Sequence, residues 1–138
     1  MVVSDKIALI EDNLDDAELT KIAFETVNIY NKLLYFNGGK EAISYFSKIE
    51  QIDHLPFIIL LDLKMPLIGG YDVIRMLKSK LETEKIPVVI VTSSIEPEDK
   101  MKCLELGAAG FLLKPLTGNK IVSVLTELNL LHHISNRS

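Results

Sequence analysis

The stretch that decides the fold is Phe57-Ile58-Ile59-Leu60-Leu61-Asp62, an unbroken apolar run that ends in an acid. A strand without polar alternation is covered on both faces, which is typical of a parallel sheet with helices on either side. The run therefore carries Asp62 from the buried body of a sheet to its rim. A second run, Ile7-Ala8-Leu9-Ile10, ends in the acids Glu11 and Asp12. Three carboxylates are thus predicted to gather at one edge of the sheet.

The rest of the chain repeats this alternation of short strands and amphipathic segments. The strand-like runs are Ile7 to Ile10, Leu33 to Phe36, Phe57 to Leu61, Val88 to Val91 and Phe111 to Leu113. Helical spacing predicts that four apolar sets face the core: Leu19, Ile22, Ala23 and Val27; Ala42, Tyr45, Phe46 and Ile49; Ile74, Leu77 and Leu81; Ile121, Val124, Leu125 and Leu128. Between the third and the last of these sets lies one more predicted helix, the fourth along the chain, near residues 98–106; its apolar pattern is the weakest. The order predicts an α/β fold, a parallel sheet with helices on both faces.

Length and composition narrow the class of protein. A chain of 138 residues is most simply a single domain, residues 1–138. Its net charge of −4 gives no electrostatic reason to expect direct binding of nucleic acid. No apolar stretch approaches the ~20 residues that span a bilayer, and the N-terminus lacks the core of a signal peptide. We therefore expect a soluble, cytoplasmic domain that does not act at a membrane.

The single cysteine and the C-terminal tail add little chemistry. Cys103 alone excludes an intrachain disulfide, and we interpret it as a small buried apolar side chain. The polar tail, residues 132–138, is expected to fray. Seven residues after Leu131 cannot fold into an output domain, so none is expected there. The histidines fall in a loop or the tail and are assigned no role: His54, His132 and His133.

The residues that follow the fourth and fifth strands complete the predicted site. Ligands of an open parallel sheet bind beyond the carboxyl ends of its strands. Thr92 and Lys114 stand at those ends, so a hydroxyl and a cation join the three acids. Crowded carboxylates recruit a cation, and an all-oxygen site suits Mg²⁺ rather than zinc, which prefers His and Cys ligands. A carboxylate nucleophile, Asp62, beside Mg²⁺, Lys and Thr predicts phosphoryl transfer.

This pattern resembles the receiver domains of two-component response regulators, the family that includes the chemotaxis regulator. The pieces that match, in chain order, are Glu11-Asp12, Asp62 with Met65-Pro66 and Gly69, Thr92-Ser93, and Lys114-Pro115. Each piece alone is weak, whereas all of them together, in order at the strand ends, are specific. The resemblance covers residues 5–130, and it implies a flavodoxin-like, doubly wound sheet of five parallel strands in the order 2-1-3-4-5. The opening Glu11-Asp12-Asn13 and Asp16-Ala17 are similar to stand-alone receivers paired with phytochrome kinases.

The resemblance implies a role for each matching residue. Asp62 is expected to accept a phosphoryl group from a phosphohistidine on a sensor histidine kinase or a phosphotransfer protein. Mg²⁺ would bind directly to Asp12, to Asp62 and to the backbone carbonyl of Lys64, and to Glu11 through water. Lys114 is expected to pair with the phosphoryl group, and the bond from Lys114 to Pro115 to be cis.

The resemblance also implies a conformational switch. Thr92 would move to meet the phosphoryl oxygen, and Phe111 would swing into the vacated space. Because Phe111 stands where the family often has Tyr, no hydroxyl is available to lock the inward state. Lys64 and Ser94 flank the reaction centre, where side chains tend to set the lifetime of the aspartyl phosphate. By contrast, Asp15 and Asp16 are expected only to stabilise the start of a helix.

The expected function is a phosphorylation-controlled switch, and not a metabolic enzyme; at most, the phosphoryl group leaves by slow self-hydrolysis. The surface of the fourth helix, fifth strand and fifth helix is expected to bind a downstream protein target or to form a homodimer. A flavodoxin-like cofactor binder is disfavoured because the acidic loop 11–16 would repel a phosphate. An aspartate-nucleophile phosphatase is disfavoured because Lys64 stands where it needs a second acid. A phosphorylation-independent interaction module stays open as the alternative.

Overall fold

The computed structural model describes residues 2–48, 54–93 and 96–135. Five strands form the main sheet: β1 (Ile7–Ile10), β2 (Leu33–Phe36), β3 (Ile58–Asp62), β4 (Val88–Thr92) and β5 (Gly110–Leu113). Five helices connect or follow them: α1 (Leu14–Thr26), α2 (Gly39–Ser47), α3 (Gly70–Lys78), α4 (Pro97–Glu105) and α5 (Gly118–Glu127). Two two-residue strands, Val2–Val3 and His54–Leu55, pair beside this sheet, and a 3₁₀ turn covers Leu131–His133. Within the described ranges, no helix has both the length and the apolar character to cross a membrane.

The main sheet is entirely parallel and runs in the order β2-β1-β3-β4-β5. Numbered along the chain, this is 2-1-3-4-5, so the predicted topology is confirmed. Every residue of β1, β3 and β4 is buried, as expected for strands covered on both faces. The register pairs Ile10 with Leu61 and Leu61 with Ile90, so the carboxyl ends of these three strands lie side by side.

Helices cover the sheet on both faces, over two separate cores. One core lies under α2, α3 and α4 and includes Phe46, Leu77 and Cys103. The other lies under α1 and α5 and includes Phe24 and Leu125. Cys103 is fully buried, as predicted.

The predicted inner face of α1 is confirmed for Ala23, which is buried, and for Val27, which packs against the core, but it was wrong for Leu19 and Ile22. Leu19 and Ile22 are 52% and 46% exposed, whereas Thr20 and Phe24 are buried. Thr20 can be buried because its hydroxyl donates a hydrogen bond to the carbonyl of Asp16 at 2.9 Å, which removes the cost of an unpaired polar group. An apolar pattern cannot reveal a buried threonine, so the helix phase was misassigned.

One other predicted core position differs and one is not tested. Leu81 is 82% exposed, because α3 ends at Lys78 and the hydroxyl of Ser79 donates to the carbonyl of Met76 at its last turn. Ile49, predicted to face the core from α2, lies outside the described residues.

The prediction that the tail frays was wrong for residues 132–135. The buried Asn31 side chain donates to the carbonyl of His133 at 2.7 Å and accepts from the backbone N–H of Ser135 at 2.6 Å. His133 also stacks on Phe57 with ring centroids 4.5 Å apart, and its Nδ1 lies 2.9 Å from Asp5. These partners are more than 70 residues away along the chain, so local sequence could not indicate them. The last part of the predicted tail, residues 136–138, lies outside the described residues.

The loop after β3 brings α3 tightly against the end of that strand. A Cβ atom at Gly70 would lie 2.6 Å from the carbonyl oxygen of Asp62 and 2.8 Å from the Cα of Leu63. Only a glycine allows this approach, so Gly70 fixes the loop that carries Lys64. Gly69, the glycine of the matching motif, has no such crowding, with its nearest contact at 3.5 Å.

Candidate functional site

Three acids meet at the carboxyl ends of β1 and β3, as the sequence predicted. Glu11, Asp12 and Asp62 each offer an oxygen atom within 4.8 Å of the others, and we call these three residues the acid cluster. Glu11 and Asp62 are 3% and 6% exposed, whereas Asp12 is half-buried. Backbone N–H groups orient the two buried acids: Asn13 donates to Glu11 at 3.2 Å, and Lys64 donates to Asp62 at 3.3 Å. Two buried carboxylates at this distance repel one another strongly.

This crowding changes the acidity of Asp62. Burial raises its pKa from 3.8 to about 7, and a hydrogen bond to Glu11 and the negative charge of Glu11 act in the same direction. The positive charge of Lys114 and the N–H of Lys64 oppose the rise without cancelling it. Near neutral pH, the Asp62 carboxyl is therefore protonated in a large fraction of molecules, unless a bound cation stabilises its negative charge.

Lys114 places its ammonium among the acids. Its Nζ lies 2.6 Å from Oε1 of Glu11, 2.9 Å from Oδ2 of Asp16 and 3.6 Å from Oδ2 of Asp62. Burial lowers the pKa of Lys114, but the hydrogen bonds to Glu11 and Asp16 and the charge of Asp62 outweigh this effect and raise it to about 12. The lysine is therefore charged at any physiological pH.

The turn that follows β5 fixes the start of this lysine side chain. The peptide bond between Lys114 and Pro115 is cis, as the resemblance implied. Lys120 closes the turn by donating to the carbonyl oxygens of Leu113 and Pro115 at 2.7 and 3.0 Å. The backbone N–H of Lys114 donates to the carbonyl of Thr92 at 2.7 Å, which keeps the ends of β4 and β5 together.

Asp16 was predicted only to stabilise a helix start, and that prediction was incomplete. Its backbone N–H does join the N-cap, donating to Oδ1 of Asn13 at 2.9 Å. Its carboxylate, however, pairs with Lys114, which lies 98 residues further along the chain. One signal was available in the sequence: an acid three residues after an N-cap Asn lies in the first turn of α1, next to the ends of the strands.

Thr92 ends β4 as a fully buried residue. Within residues 2–48, 54–93 and 96–135, its hydroxyl has no hydrogen-bond partner, although the atom is shielded from solvent. An unpaired buried hydroxyl costs about 1–3 kcal/mol, so its position favours a partner beyond the described residues, such as a bound ligand. Phe111, the predicted partner of Thr92, is half-buried on β5 and packs against the core under α2, α3 and α4.

Two residues that the sequence did not single out connect the loop after β3 to α4. The hydroxyl of Tyr71, in the first turn of α3, donates a hydrogen bond to Asp99, in the first turn of α4. The other oxygen of Asp99 lies 3.4 Å from Nζ of Lys64, and Lys102 stands 4.3 Å from the centre of the Tyr71 ring. The Tyr71 hydrogen bond is the main reason that the pKa of Asp99 is lowered. Ser94, the other predicted flanking residue, lies outside the described residues.

The donor set at this site fits a hard divalent cation. The acid cluster offers only oxygen atoms, two of its acids are buried, and burial together with Glu11 raises the pKa of Asp62 even though Lys114 lies nearby. Mg²⁺ prefers one or two carboxylates together with water and backbone oxygens. The acid cluster therefore has the chemistry of a magnesium site.

Comparison with known proteins agrees with this arrangement. Residues 7–126 match the response regulator receiver domain family. The structure of the bacteriophytochrome response regulator RtBRR is similar at a TM-score of 0.80 and 32% identity, over 93% of this chain and 78% of that one. That of the bacteriophytochrome response regulator AtBRR has a TM-score of 0.79 and 34% identity, over 91% of this chain and 93% of that one. The probable methanogenesis regulatory protein FilR2 of Methanothrix harundinacea is 30% identical over 123 residues, 88% of this chain and 79% of FilR2.

Other curated relatives are longer than the matched region: the chain spans between 23% and 52% of their length. What they share with this chain is the receiver region and not their whole architecture. The family match covers the five strands of the main sheet and nearly all of α5, and it includes every residue of the site described above. The chain therefore belongs to the response regulator receiver domain family of two-component signalling.

Proposed function

We propose that this chain is a phosphorylation-controlled switch in which Asp62 accepts a phosphoryl group from a phosphohistidine. The observation that carries this proposal is the position of the Asp62 carboxylate, at the end of β3, 3.6 Å from the Lys114 ammonium and within the acid cluster. A carboxylate oxygen of Asp62 attacks the phosphorus, and the bond from phosphorus to the histidine nitrogen breaks. The electron pair of that bond returns to the imidazole ring.

Mg²⁺ is proposed to bind Asp12 and Asp62 directly, Glu11 through water, and the backbone carbonyl of Lys64. When bound, the metal neutralises negative charge on the phosphoryl group. Asp62 must lose its proton before it can act as a nucleophile; its pKa of about 7 leaves part of the population protonated near neutral pH, and the positive charge of a bound metal would favour the carboxylate form. Asn13 and Lys64 hold Glu11 and Asp62 in place with their backbone N–H groups.

Lys114 and Thr92 are proposed to bind the phosphoryl oxygens. The Lys114 ammonium is already charged and 3.6 Å from Asp62, so it can follow the new negative charge with little movement. The Thr92 hydroxyl is buried without a partner among the described residues, and a phosphoryl oxygen would supply its missing hydrogen bond. Phosphorylation shifts a conformational equilibrium only through contacts that differ between the two states. The hydrogen bond of Thr92 and the packing of Phe111 are the proposed differences.

The surface proposed to bind a partner after the switch is formed by α4, β5 and α5. Apolar side chains are exposed on each of these elements: Met101 at 63%, Leu104 at 52%, Leu113 at 39% and Val122 at 37%. Receiver domains interact with histidine kinases or phosphotransfer proteins and with downstream targets. For this chain, we propose that the surface binds a protein target or a second copy of the chain.

The proposed switch acts as a single domain. Its residues form one receiver domain with a core of about 5–130, it acts in the cytoplasm, and it catalyses nothing beyond slow loss of its own phosphoryl group. Direct contact with nucleic acid or with a membrane forms no part of the function.

The experiment that tests the proposal is phosphorylation by a small acyl phosphate. The parent chain and Asp62→Asn are incubated with acetyl phosphate and Mg²⁺ and separated on a phosphate-affinity gel, with EDTA as the metal-free control. A retarded band in the parent only, and only with Mg²⁺, supports the switch. If the parent shows no retarded band beside a competent receiver, the chain is instead a phosphorylation-independent interaction module.

A further inference from the structure

Lys114 contacts two of the three acids that the metal needs. Its Nζ is 2.6 Å from Glu11 and 3.6 Å from Asp62, and both are members of the acid cluster. A divalent ion that binds to the same oxygens repels the ammonium. The lysine must therefore leave part of this contact when the metal binds, yet it must remain within reach of the phosphoryl group.

Asp16 offers the ammonium a contact outside the acid cluster. Its Oδ2 lies 2.9 Å from Nζ of Lys114, and it is not one of the three acids that can share an ion. The first turn of α1 holds Asp16 in place, because its N–H donates to the N-cap Asn13 and its carbonyl accepts from Thr20. The carboxylate side chain is 37% exposed, so it stands at the edge of the site, between the ammonium and solvent.

We propose that Asp16 is a positioning residue that retains the Lys114 ammonium beside the acid cluster when Mg²⁺ binds. Without Asp16, the close partners left to the ammonium in the described part of the chain are members of the acid cluster, and it competes with the metal for them. With Asp16, the lysine keeps an anion partner during metal binding and remains near Asp62 for the phosphoryl group. This inference rests on the proposed function, because it concerns the same metal and the same lysine.

The test measures the affinity for Mg²⁺ by titration calorimetry of the full chain, with no phosphodonor present. The variants are Asp16→Asn and its matched control Asp15→Asn, an exposed acid in the same helical turn. Both substitutions remove one negative charge near the site, but only the first removes the contact to Lys114. We expect Asp16→Asn to weaken Mg²⁺ binding roughly five-fold more than Asp15→Asn, which corresponds to the loss of one favourable ion pair. Asp16→Glu, which keeps the charge, should restore most of the affinity.

A second comparison tests whether the effect passes through the lysine. In a Lys114→Gln background, Asp16→Asn should weaken Mg²⁺ binding no more than Asp15→Asn does, because no ammonium is left to position. Equal effects of the two substitutions in the parent background, or an undiminished Asp16 effect without Lys114, would overturn the inference. If the parent itself bound no Mg²⁺ at millimolar concentration, the proposed metal-dependent function would fail as well. Thermal unfolding of each variant verifies that the fold is retained.

Discussion

The backbone of Gly70 lies so close to Asp62 that a Cβ atom at Gly70 would stand 2.6 Å from the Asp62 carbonyl oxygen. This approach sets where α3 begins relative to the end of β3. It therefore also sets the loop that carries Lys64 beside the phosphoacceptor. The atoms in the way belong to the backbone, so they cannot rotate aside as a flexible side chain would.

The first prediction is that Gly70→Ala destabilises the chain by about 2–3 kcal/mol, as other over-packed buried sites do. Gly69→Ala is the matched control, because its Cβ would make only ordinary contacts of 3.5 Å or more and its φ of −87° suits any residue. Urea unfolding should show a loss of stability at position 70 and a change within about 0.5 kcal/mol at position 69. Equal effects at both positions would contradict the geometry.

The second prediction concerns the unpaired hydroxyl of Thr92. Thr92→Val keeps the shape of the side chain but removes a buried hydroxyl that has no partner in the described part of the chain. The unphosphorylated variant should be more stable than the parent by about 1 kcal/mol. Thr83→Val is the contrast, since Thr83 is equally buried but donates to the carbonyl of Leu77 at 2.6 Å, and its loss should destabilise.

The same Thr92→Val variant also tests whether Thr92 contributes to the switch, apart from its effect on the stability of the unphosphorylated chain. Thr92→Val should still accept a phosphoryl group on Asp62, but the difference in stability between its phosphorylated and unphosphorylated forms should shrink, because one contact specific to the phosphorylated state is lost. Thermal unfolding with and without a beryllium fluoride phosphomimic measures that difference. An unchanged difference would remove Thr92 from the proposed switch.

The third prediction concerns Leu67, in the loop between β3 and α3. Leu67 is fully exposed and has a φ of 65°, a left-handed conformation that costs a residue with a bulky side chain roughly 1 kcal/mol. Leu67→Asn should raise the free energy of unfolding by about 0.5–1 kcal/mol, because Asn tolerates this conformation. Leu81→Asn is the control: Leu81 is 82% exposed and is not among the residues with positive φ, so its replacement should have little effect.

Much of the fold could be predicted because β1, β3 and β4 are buried on both faces. Such strands appear in the sequence as continuous apolar runs, and the residue that ends each run identifies the rim of the sheet, as with Asp62 and Thr92. Lys114 follows β5, which is shorter and only partly buried. Helix phase was harder to predict. Thr20 is buried through a hydrogen bond to its own helix, while Leu19 on the same helix is exposed.

The parts of the site that were missed depend on contacts between distant segments. Asp16 meets Lys114 across 98 residues, and Tyr71 meets Asp99 across 28. Each of these residues looks locally like an ordinary helix residue: an acid in a first turn stabilises the helix wherever it occurs. Only the sheet order, which places the starts of α1, α3 and α4 around one edge, gives such residues a second partner.

The fourth prediction tests the link between Tyr71 and Asp99. Tyr71→Phe removes the hydroxyl that contributes most to lowering the pKa of Asp99. The pKa of Asp99 should therefore rise toward its ordinary value, as measured by NMR titration of its carboxyl carbon. Tyr45→Phe, which removes a tyrosine hydroxyl from α2 instead, is the control and should leave the pKa of Asp99 low. If the pKa of Asp99 stayed low, Lys64 and Lys102 alone would have to account for it, and the link to α3 would be unimportant.

The fifth prediction follows from the raised pKa of Asp62. Between pH 4 and about 7, the folded metal-free chain keeps a proton on Asp62 that the unfolded chain, with an ordinary pKa of 3.8, releases. The unfolded state then binds fewer protons, so the contribution of Asp62 to stability falls as the pH rises through this window and levels off above it. Asp62→Asn, which cannot ionise, escapes this loss.

In EDTA, Asp62→Asn should therefore be more stable than the parent at pH 8, by an amount on the order of 2 kcal/mol, since each unit of pKa shift corresponds to about 1.4 kcal/mol. The advantage should become small at pH 4, where the folded parent carries the proton and the unfolded parent releases it only in part. Urea unfolding at several pH values measures the difference, and Asp72→Asn on the surface of α3 serves as the control.

Mg²⁺ should stabilise the parent at pH 8 but have much less effect on Asp62→Asn, because the ion replaces the missing proton at the acid cluster. Parallel stability curves for the parent and Asp62→Asn would show that the buried carboxylate is ionised at no cost, and the electrostatic reason for a metal at this site would be lost.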